Sequence, residues 1–183
     1  MSTDFPPFPK IARYSREVIV TEKIDGTNAL IQITDDGTIW TGARNGWITP
    51  ERDNFGFAAW VADNRDTILE LGPGRHYGEW WGKGIQRAYG QDARRFSLFN
   101  AIRWQTVRPA CCDVVPILWQ GSLDDMAVPQ IMADLARGGS RAAPGFDRPE
   151  GIVIFHTTGR FGLKKTFQKD DAGKGKEPSG TGF

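Results

Sequence analysis

Alternation of apolar and polar residues at period two opens the chain and predicts β-strands at residues 18–23 and 28–34. Asp35-Asp36-Gly37 has the composition of a tight turn, so a third strand is expected at residues 38–42. Short apolar runs bounded by glycine, proline and aspartate predict five more strands, at residues 75–81, 96–102, 114–119, 151–156 and 161–167.

Two other segments have apolar residues at helical spacing. The first covers residues 51–71, with Pro50 at its start and Gly72 directly after its end. The second covers residues 123–135, and Pro129 falls in its first turns. Strands and helices do not alternate one for one, so the predicted fold class is α+β, with antiparallel sheets and a few packed helices.

The composition is that of a folded chain. Its 183 residues, 39% of them hydrophobic, are enough for one domain with an ordinary core. The last residues are polar and rich in glycine and lysine, with little to bury. We therefore predict one folded domain at residues 1–167 and a flexible polar tail at residues 168–183.

Net charge does not indicate a partner. The chain has 23 basic and 22 acidic side chains, so a surface that binds nucleic acid would have to be local. No apolar run reaches the length of a membrane span, and the start, MSTDFPPFPK, lacks the apolar core of a signal peptide. These features predict a soluble, intracellular, cytoplasmic protein with no membrane partner, and we expect a monomer.

Lys23 is the first candidate for chemistry, because it ends a predicted strand where Asp25 and Gly26 turn the chain into the next one. A lysine is a nucleophile only when its amine has lost a proton. Burial or a neighbouring cation, such as a divalent metal, favours that loss, whereas nearby carboxylates oppose it. Taken alone, the pattern is more typical of a solvated lysine at a strand end.

Five further short motifs follow that of Lys23. The six segments are residues 22–28 (EKIDGTN), 43–46 (ARNG), 77–86 (YGEWWGKGIQ), 96–100 (FSLFN), 150–154 (EGIVI) and 163–166 (LKKT). In this order they resemble the motifs of the covalent nucleotidyltransferase superfamily. Within it the chain is similar to the RNA ligases of the phage T4 RNA ligase 2 group, and residues 77–86 are the most group-specific part.

The resemblance implies the ATP-grasp-like nucleotidyltransferase domain of ligases, whose sheets and helices form a nucleotide cleft. It implies that the catalytic Lys23 attacks the α-phosphate of ATP and keeps AMP as a lysyl phosphoramidate, with Mg²⁺ or Mn²⁺ present. Phe99 would stack on the purine. The implied metal ligands are Glu150, Glu79 and Asp25. The implied nucleotide-binding residues are Glu22, Asn28, Arg44, Glu79, Phe99, Lys164 and Lys165.

Two departures from the family pattern affect these assignments. Asn100 stands where many relatives carry aspartate. Lys164 and Lys165 are adjacent, and neighbouring residues of a strand face opposite ways, so we expect only one of them to point into the site, and Lys164 aligns better.

The activity that the resemblance implies is that of an ATP-dependent RNA ligase, which transfers AMP to a 5′-phosphate end and seals that end to a 3′-hydroxyl. The partner would be nucleic acid, as RNA ends or nicks. Two alternatives stay open. One is a nick-sealing DNA ligase. The other is a nucleotide- or nucleic-acid-binding module without sealing activity, because relatives commonly carry a further C-terminal domain. Candidates for contacts with nucleic-acid phosphates are Lys83, Arg87, Arg94, Arg95 and the lysine-rich tail, although each of them, taken alone, is more typical of a solvated surface charge.

Overall fold

The computed structural model describes Phe8 and residues 10–168. These residues form ten strands: β1 (Glu17–Lys23), β2 (Thr27–Ile33), β3 (Ile39–Ala43), β4 (Gly46–Ile48), β5 (Gly74–Gly82), β6 (Arg94–Leu98), β7 (Cys112–Val114), β8 (Ile117–Ser122), β9 (Gly151–His156) and β10 (Phe161–Thr166). The first sheet is antiparallel, in the order β10-β9-β1-β8. The second has the order β4-β3-β2-β5-β6-β7, and only its β6–β7 pair is parallel.

The helices are short and pack on these sheets. They are α1 (Phe57–Asp63), α2 (Arg65–Ile68), α3 (Ala101–Trp104) and α4 (Val128–Gly138), with 3-10 turns at Leu69–Leu71, Ala88–Gly90 and Leu123–Asp125. The predicted α+β class is therefore confirmed, although α4 begins later than the helix predicted at residues 123–135 and ends after it. None of the helices in this part of the chain combines the length and apolar character needed to cross a bilayer.

The first sheet packs one face against α4. Val18 and Val20 of β1 belong to a buried apolar cluster. To this cluster the helix contributes Ile131, Met132 and Leu135. The alternate residues of β1 point to the other face of the sheet, and that series ends at Lys23. The period of the sequence thus directs Lys23 away from the α4 core.

The second sheet also buries one face. Ile31 and Phe96 pack against Phe57 of α1 in the largest apolar cluster of the described residues. The opposite face carries the alternate residues, among them Asn28 and Glu79, which are paired across β2 and β5. This face and the Lys23 face of the first sheet border the same cavity.

The predicted helix at residues 51–71 is wrong at its start. Helical structure begins only at Phe57, because the two residues before it have positive φ angles of 50° and 72°. The carboxylate of Asp53 accepts the backbone N–H groups of Ala58 and Ala59 at 2.8 and 2.9 Å, which satisfies donors that a helix start leaves free. This distant cap was not visible as helical periodicity.

Two predicted strands are also corrected. The strand predicted at residues 96–102 ends with β6, because the Asn100 side chain accepts the N–H of Arg103 at 3.3 Å and starts α3. The strand predicted at residues 114–119 is two strands, β7 and β8, which Pro116 separates.

The predicted flexible tail at residues 168–183 lies, apart from residue 168, outside the described residues. The division into a domain at residues 1–167 and a tail therefore stays a prediction.

Candidate active site between the two sheets

A cavity of about 1000 Å³ lies between the two sheets, where the chain passes from β1 to β2. Both sheets and the loops at their ends contribute to its walls. Most of the residues that the motifs singled out border it: Glu22, Lys23, Asp25, Asn28, Arg44, Glu79, Phe99, Glu150 and Lys164. The fold thus gathers residues that the sequence spreads from position 22 to position 164.

Lys23 is held in this cavity by sheet pairing. In the β1–β9 register it lies opposite Gly151, which is the residue that follows Glu150. Its Nζ donates a hydrogen bond to Oε2 of Glu150 at 2.7 Å, and the two side chains are 24% and 18% exposed. The amine is therefore both fixed in position and accessible from the cavity.

Glu22 stands on the opposite face of β1 and supports the loop after α4. Its buried carboxylate accepts hydrogen bonds from the Ser140 hydroxyl at 2.6 Å and from the N–H groups of Arg141 and Ala142 at 2.7 and 2.9 Å. Three donors already occupy this carboxylate. The carboxylate thus anchors the loop after α4 to β1, and the assignment of Glu22 to nucleotide binding stays a prediction.

Glu79 is a buried titratable group at the cavity wall. One carboxylate oxygen accepts the N–H of Gly26 at 3.0 Å, and the other accepts the amide of Asn28 at 3.4 Å. Burial is the main cause that raises the pKa of Glu79 to about 7, while Lys23 and the Gly26 N–H act in the opposite direction. This carboxyl therefore titrates near neutral pH.

The Glu79→Gln variant should flatten the dependence of stability on pH. A carboxyl whose pKa is raised in the folded state stabilises the fold below its unfolded pKa, and this contribution is lost as pH rises to about 7. The loss amounts to about 3 kcal/mol at most. Urea unfolding of the wild type and the variant at about pH 5 and about pH 8 measures it, with the exposed Glu70→Gln as control. An equal change in the free energy of unfolding between the two pH values in all three proteins would contradict the prediction.

A second ion pair supports the turn after Lys23. Nε of Arg87 donates to Oδ2 of Asp25 at 2.9 Å, and the N–H of Asp25 donates to the hydroxyl of the buried Tyr89 at 3.0 Å. Burial raises the pKa of the Tyr89 hydroxyl, which stays neutral as a hydrogen-bonding group. The carboxylate of Asp25 and its backbone N–H are thus each held by a partner in the fold, Arg87 and Tyr89 respectively.

Gly26 is required by packing. A Cβ at this position would overlap the carbonyl oxygen of Trp80 and lie 2.7 Å from the Cβ of Trp81. The glycine of the nucleophile motif therefore lets the β1–β2 turn lie directly against β5.

Arg44 and Lys164 bring positive charge to the cavity wall from the two different sheets. Neither side chain makes a hydrogen bond or ion pair with another described residue. Lys164 lies opposite Val153, which also borders the cavity, whereas Lys165 lies opposite Ile152 of the α4 core. Lys165 is therefore on the other face of β10, and its assignment to the nucleotide site is withdrawn.

The three carboxylates predicted to bind metal do not form a preassembled cluster. Across residues 10–168, no group of three or more His, Cys, Asp or Glu side chains could hold a metal ion. Glu150 pairs with Lys23, Asp25 pairs with Arg87, and Glu79 accepts a backbone N–H. The assignment of Glu150, Glu79 and Asp25 as metal ligands therefore stays a prediction, and any site would need oxygen ligands from a bound molecule as well.

The profile of the RNA ligase family matches residues 16–172. The match covers most of the chain and every motif around the cavity. The chain belongs to the RNA ligase family. No curated protein sequence gives a significant match.

Solved structures of Naegleria gruberi RNA ligase share the fold of this RNA ligase family member. The structure with ATP and manganese has 24% identity and a TM-score of 0.63, and the alignment covers 83% of this chain and 49% of that one. The structure with pyrophosphate has 24% identity, a TM-score of 0.60 and coverage of 88% and 57%. The structure with AMP and manganese has 22% identity, a TM-score of 0.61 and coverage of 84% and 50%. The chain thus spans about half the length of these ligases.

Several supports of the site in this RNA ligase family member lie outside the motifs. Arg87, expected to contact nucleic-acid phosphates, borders the cavity and pairs with Asp25. Tyr89 and Ser140 hold the nucleophile strand and its turn. The backbone from Gln86 to Tyr89 contains three non-glycine residues at positive φ, a conformation that no sequence period reveals. None of the other described residues expected to contact phosphates lines the cavity. These residues are Lys83, Arg94 and Arg95.

Proposed function

We propose that this chain is an ATP-dependent RNA ligase that forms a lysyl-AMP intermediate at Lys23. The observation that carries the proposal is the position of the Lys23 amine in a cavity that also contains Arg44, Glu79, Phe99 and Lys164, in a chain of the RNA ligase family. The relative from Naegleria gruberi is known with ATP and manganese, with AMP and manganese, and with pyrophosphate. These are the reactants and products of lysine adenylylation.

The residues of the cavity suit each part of ATP. Phe99 is half-exposed at the rim, where its ring can stack on the base. Arg44 and Lys164 can neutralise phosphate charge from opposite walls. Lys23 then attacks the α-phosphorus: a bond forms between Nζ and phosphorus, the bond to the bridging oxygen breaks, and pyrophosphate leaves. Catalysis is mainly positioning and charge neutralisation.

The ion pair of Lys23 with Glu150 must open before this attack, because Nζ cannot approach the α-phosphorus while the carboxylate holds it. Glu150 fits a divalent metal, since Mg²⁺ is usually held by one or two carboxylates together with phosphate oxygens rather than by a complete protein cage. A bound metal ion supplies charge neutralisation at the phosphates. The absence of a preassembled cluster in the described residues agrees with such shared ligation.

In the later steps we propose that AMP passes from Lys23 to a 5′-phosphate and that a 3′-hydroxyl displaces it. RNA as the substrate rests on membership of the RNA ligase family. Membership of the phage T4 RNA ligase 2 group, cytoplasmic location and a monomeric state stay predictions.

The test has two stages. The purified chain is incubated with α-labelled ATP and Mg²⁺ or Mn²⁺ and separated by denaturing electrophoresis, and label on the protein is expected. Nicked and single-stranded RNA and the matching DNA are then offered for sealing. Sealing of RNA alone supports the proposal, sealing of DNA alone favours the nick-sealing DNA ligase, and label without sealing of either contradicts the ligase assignment. No label under any metal would leave only a binding module.

The Phe99→Ala variant should bind ATP more weakly, because stacking of a base on an aromatic ring contributes about 1–3 kcal/mol. This corresponds to a Kd about 5- to 150-fold higher. Isothermal titration calorimetry with ATP measures the change, and Phe99→Tyr, which keeps a ring, should retain most of the affinity. Unchanged binding by Phe99→Ala would show that another group stacks on the base.

A further inference from the structure

The face of the second sheet that borders the cavity extends beyond it. There it carries large aromatic side chains that no described element covers. Trp40 is 51% exposed, Trp47 is 55% exposed, Tyr77 is 52% exposed and Phe99 is 42% exposed. We call these four residues the aromatic face. A monomeric protein rarely leaves large rings clustered in water without a ligand or partner for them.

Strand register places these rings on the same side of the sheet. Phe99 donates its backbone N–H to the carbonyl of Tyr77 at 2.9 Å, and Tyr77 lies opposite Leu30 of β2. Leu30 lies opposite Gly42 of β3, and Gly42 lies opposite Trp47 of β4. With strands about 4.8 Å apart, this row crosses about 19 Å of surface, from the rim of the ATP cavity to the edge of the sheet.

The outer end of the row is a packed arrangement. A Cβ on Gly42 would lie 3.4 Å from the Trp47 ring and 3.5 Å from Leu30, so the glycine provides the space in which that ring lies beside Leu30. The centroids of the Trp40 and Trp47 rings are 6.1 Å apart, with the rings tilted by 56°. The two indoles therefore support each other while half of each surface stays exposed.

The charges beside the row are positive. Arg75 of β5 lies on this face and is oriented by a hydrogen bond from its Nε to Gln32 at 3.1 Å. Arg44 lies between β3 and β4 and also borders the cavity. Among the residues of β2, β3, β4 and β5 that point to this face, the only acidic one is Glu79, which is buried at the cavity end. The exposed part of the face thus combines rings with arginines.

We propose that the aromatic face binds single-stranded RNA, so that bases of the substrate strand stack on Tyr77, Trp47 and Trp40 while its reacting end lies in the cavity. This inference rests on the proposed function. Exposed aromatic rings interleaved with arginine are the usual platform for single strands, whose unpaired bases can stack, whereas the bases of a duplex are already stacked on each other. Continuity with the cavity through Phe99 and Arg44 favours RNA over a protein partner.

Anisotropy of a short fluorescein-labelled, single-stranded oligoribonucleotide tests the proposal with the full chain. Trp40→Ala and Trp47→Ala should each raise the Kd about 5- to 150-fold. Trp47→Phe should retain most of the affinity. The matched control is Tyr14→Ala, which removes a 66% exposed ring outside the second sheet and should bind like the wild type. Equal affinity of all four variants would overturn the proposal and leave the face to a protein partner.

An abasic version of the oligonucleotide separates stacking from charge. It keeps the phosphates but has no bases, so the wild type and Trp47→Ala should bind it equally. A persistent difference would overturn the stacking role.

Labelling of the protein by α-labelled ATP is a separate readout. Trp40 and Trp47 do not border the cavity, so both variants should be labelled like the wild type. Loss of RNA binding with normal labelling supports the aromatic face, whereas absence of labelling in the wild type contradicts the proposed function instead.

Discussion

Replacement of Lys23 by arginine should abolish covalent labelling by α-labelled ATP while the fold and the contact with Glu150 are kept. A guanidinium stays protonated at any working pH, so it can pair with the carboxylate but cannot attack phosphorus. Lys23→Ala should also carry no label. Denaturing electrophoresis measures the label, and circular dichroism confirms that the variants are folded.

Two other lysines serve as controls for this result. Lys165→Ala should be labelled normally, because Lys165 lies on the face of β10 that does not border the cavity. Lys164→Ala should be labelled more slowly, because its charge lies on the cavity wall. Label on Lys23→Arg at another lysine would contradict the assignment of the nucleophile.

The alternation of apolar and polar residues predicted the strand that ends at Lys23, but the face of the sheet on which Lys23 lies was not predicted. A period of two places Val18 and Val20 on the α4 core and Lys23 on the opposite face, as the structure shows. The same period could have shown that Glu22 points to the α4 side. Its three donors in the loop after α4 lie more than a hundred positions away, and no local pattern indicates such a contact.

Other features depend on contacts or conformations that a sequence period does not contain. Strand β4 has only three residues, too few for alternation to be recognised, yet it carries Trp47 of the aromatic face. The pairing of Arg87 with Asp25 depends on a turn with consecutive positive φ angles at Ala88 and Tyr89. Motifs therefore predicted which residues gather at the cavity better than they predicted which partner each one has.

The Glu150→Gln variant distinguishes two roles of this carboxylate by the sign of its effect. Glutamine has nearly the same shape and still accepts a hydrogen bond from Lys23, but it has no charge. If Glu150 shares a metal with the phosphates of ATP, its loss should slow labelling by about 10²–10³-fold, since metal stabilisation of phosphoryl transfer is worth several kcal/mol.

If Glu150 only holds the Lys23 amine in an ion pair, the same substitution should speed labelling, because a neutral neighbour holds the amine less tightly away from the α-phosphorus. Single-turnover labelling across a Mn²⁺ titration measures the rate, and Mn²⁺ binding in the presence of a non-reactive ATP analogue is followed by electron paramagnetic resonance. We expect slower labelling together with weaker Mn²⁺ binding. Faster labelling with unchanged Mn²⁺ binding would remove Glu150 from the metal site and leave it the role of holding the nucleophile until the nucleotide arrives.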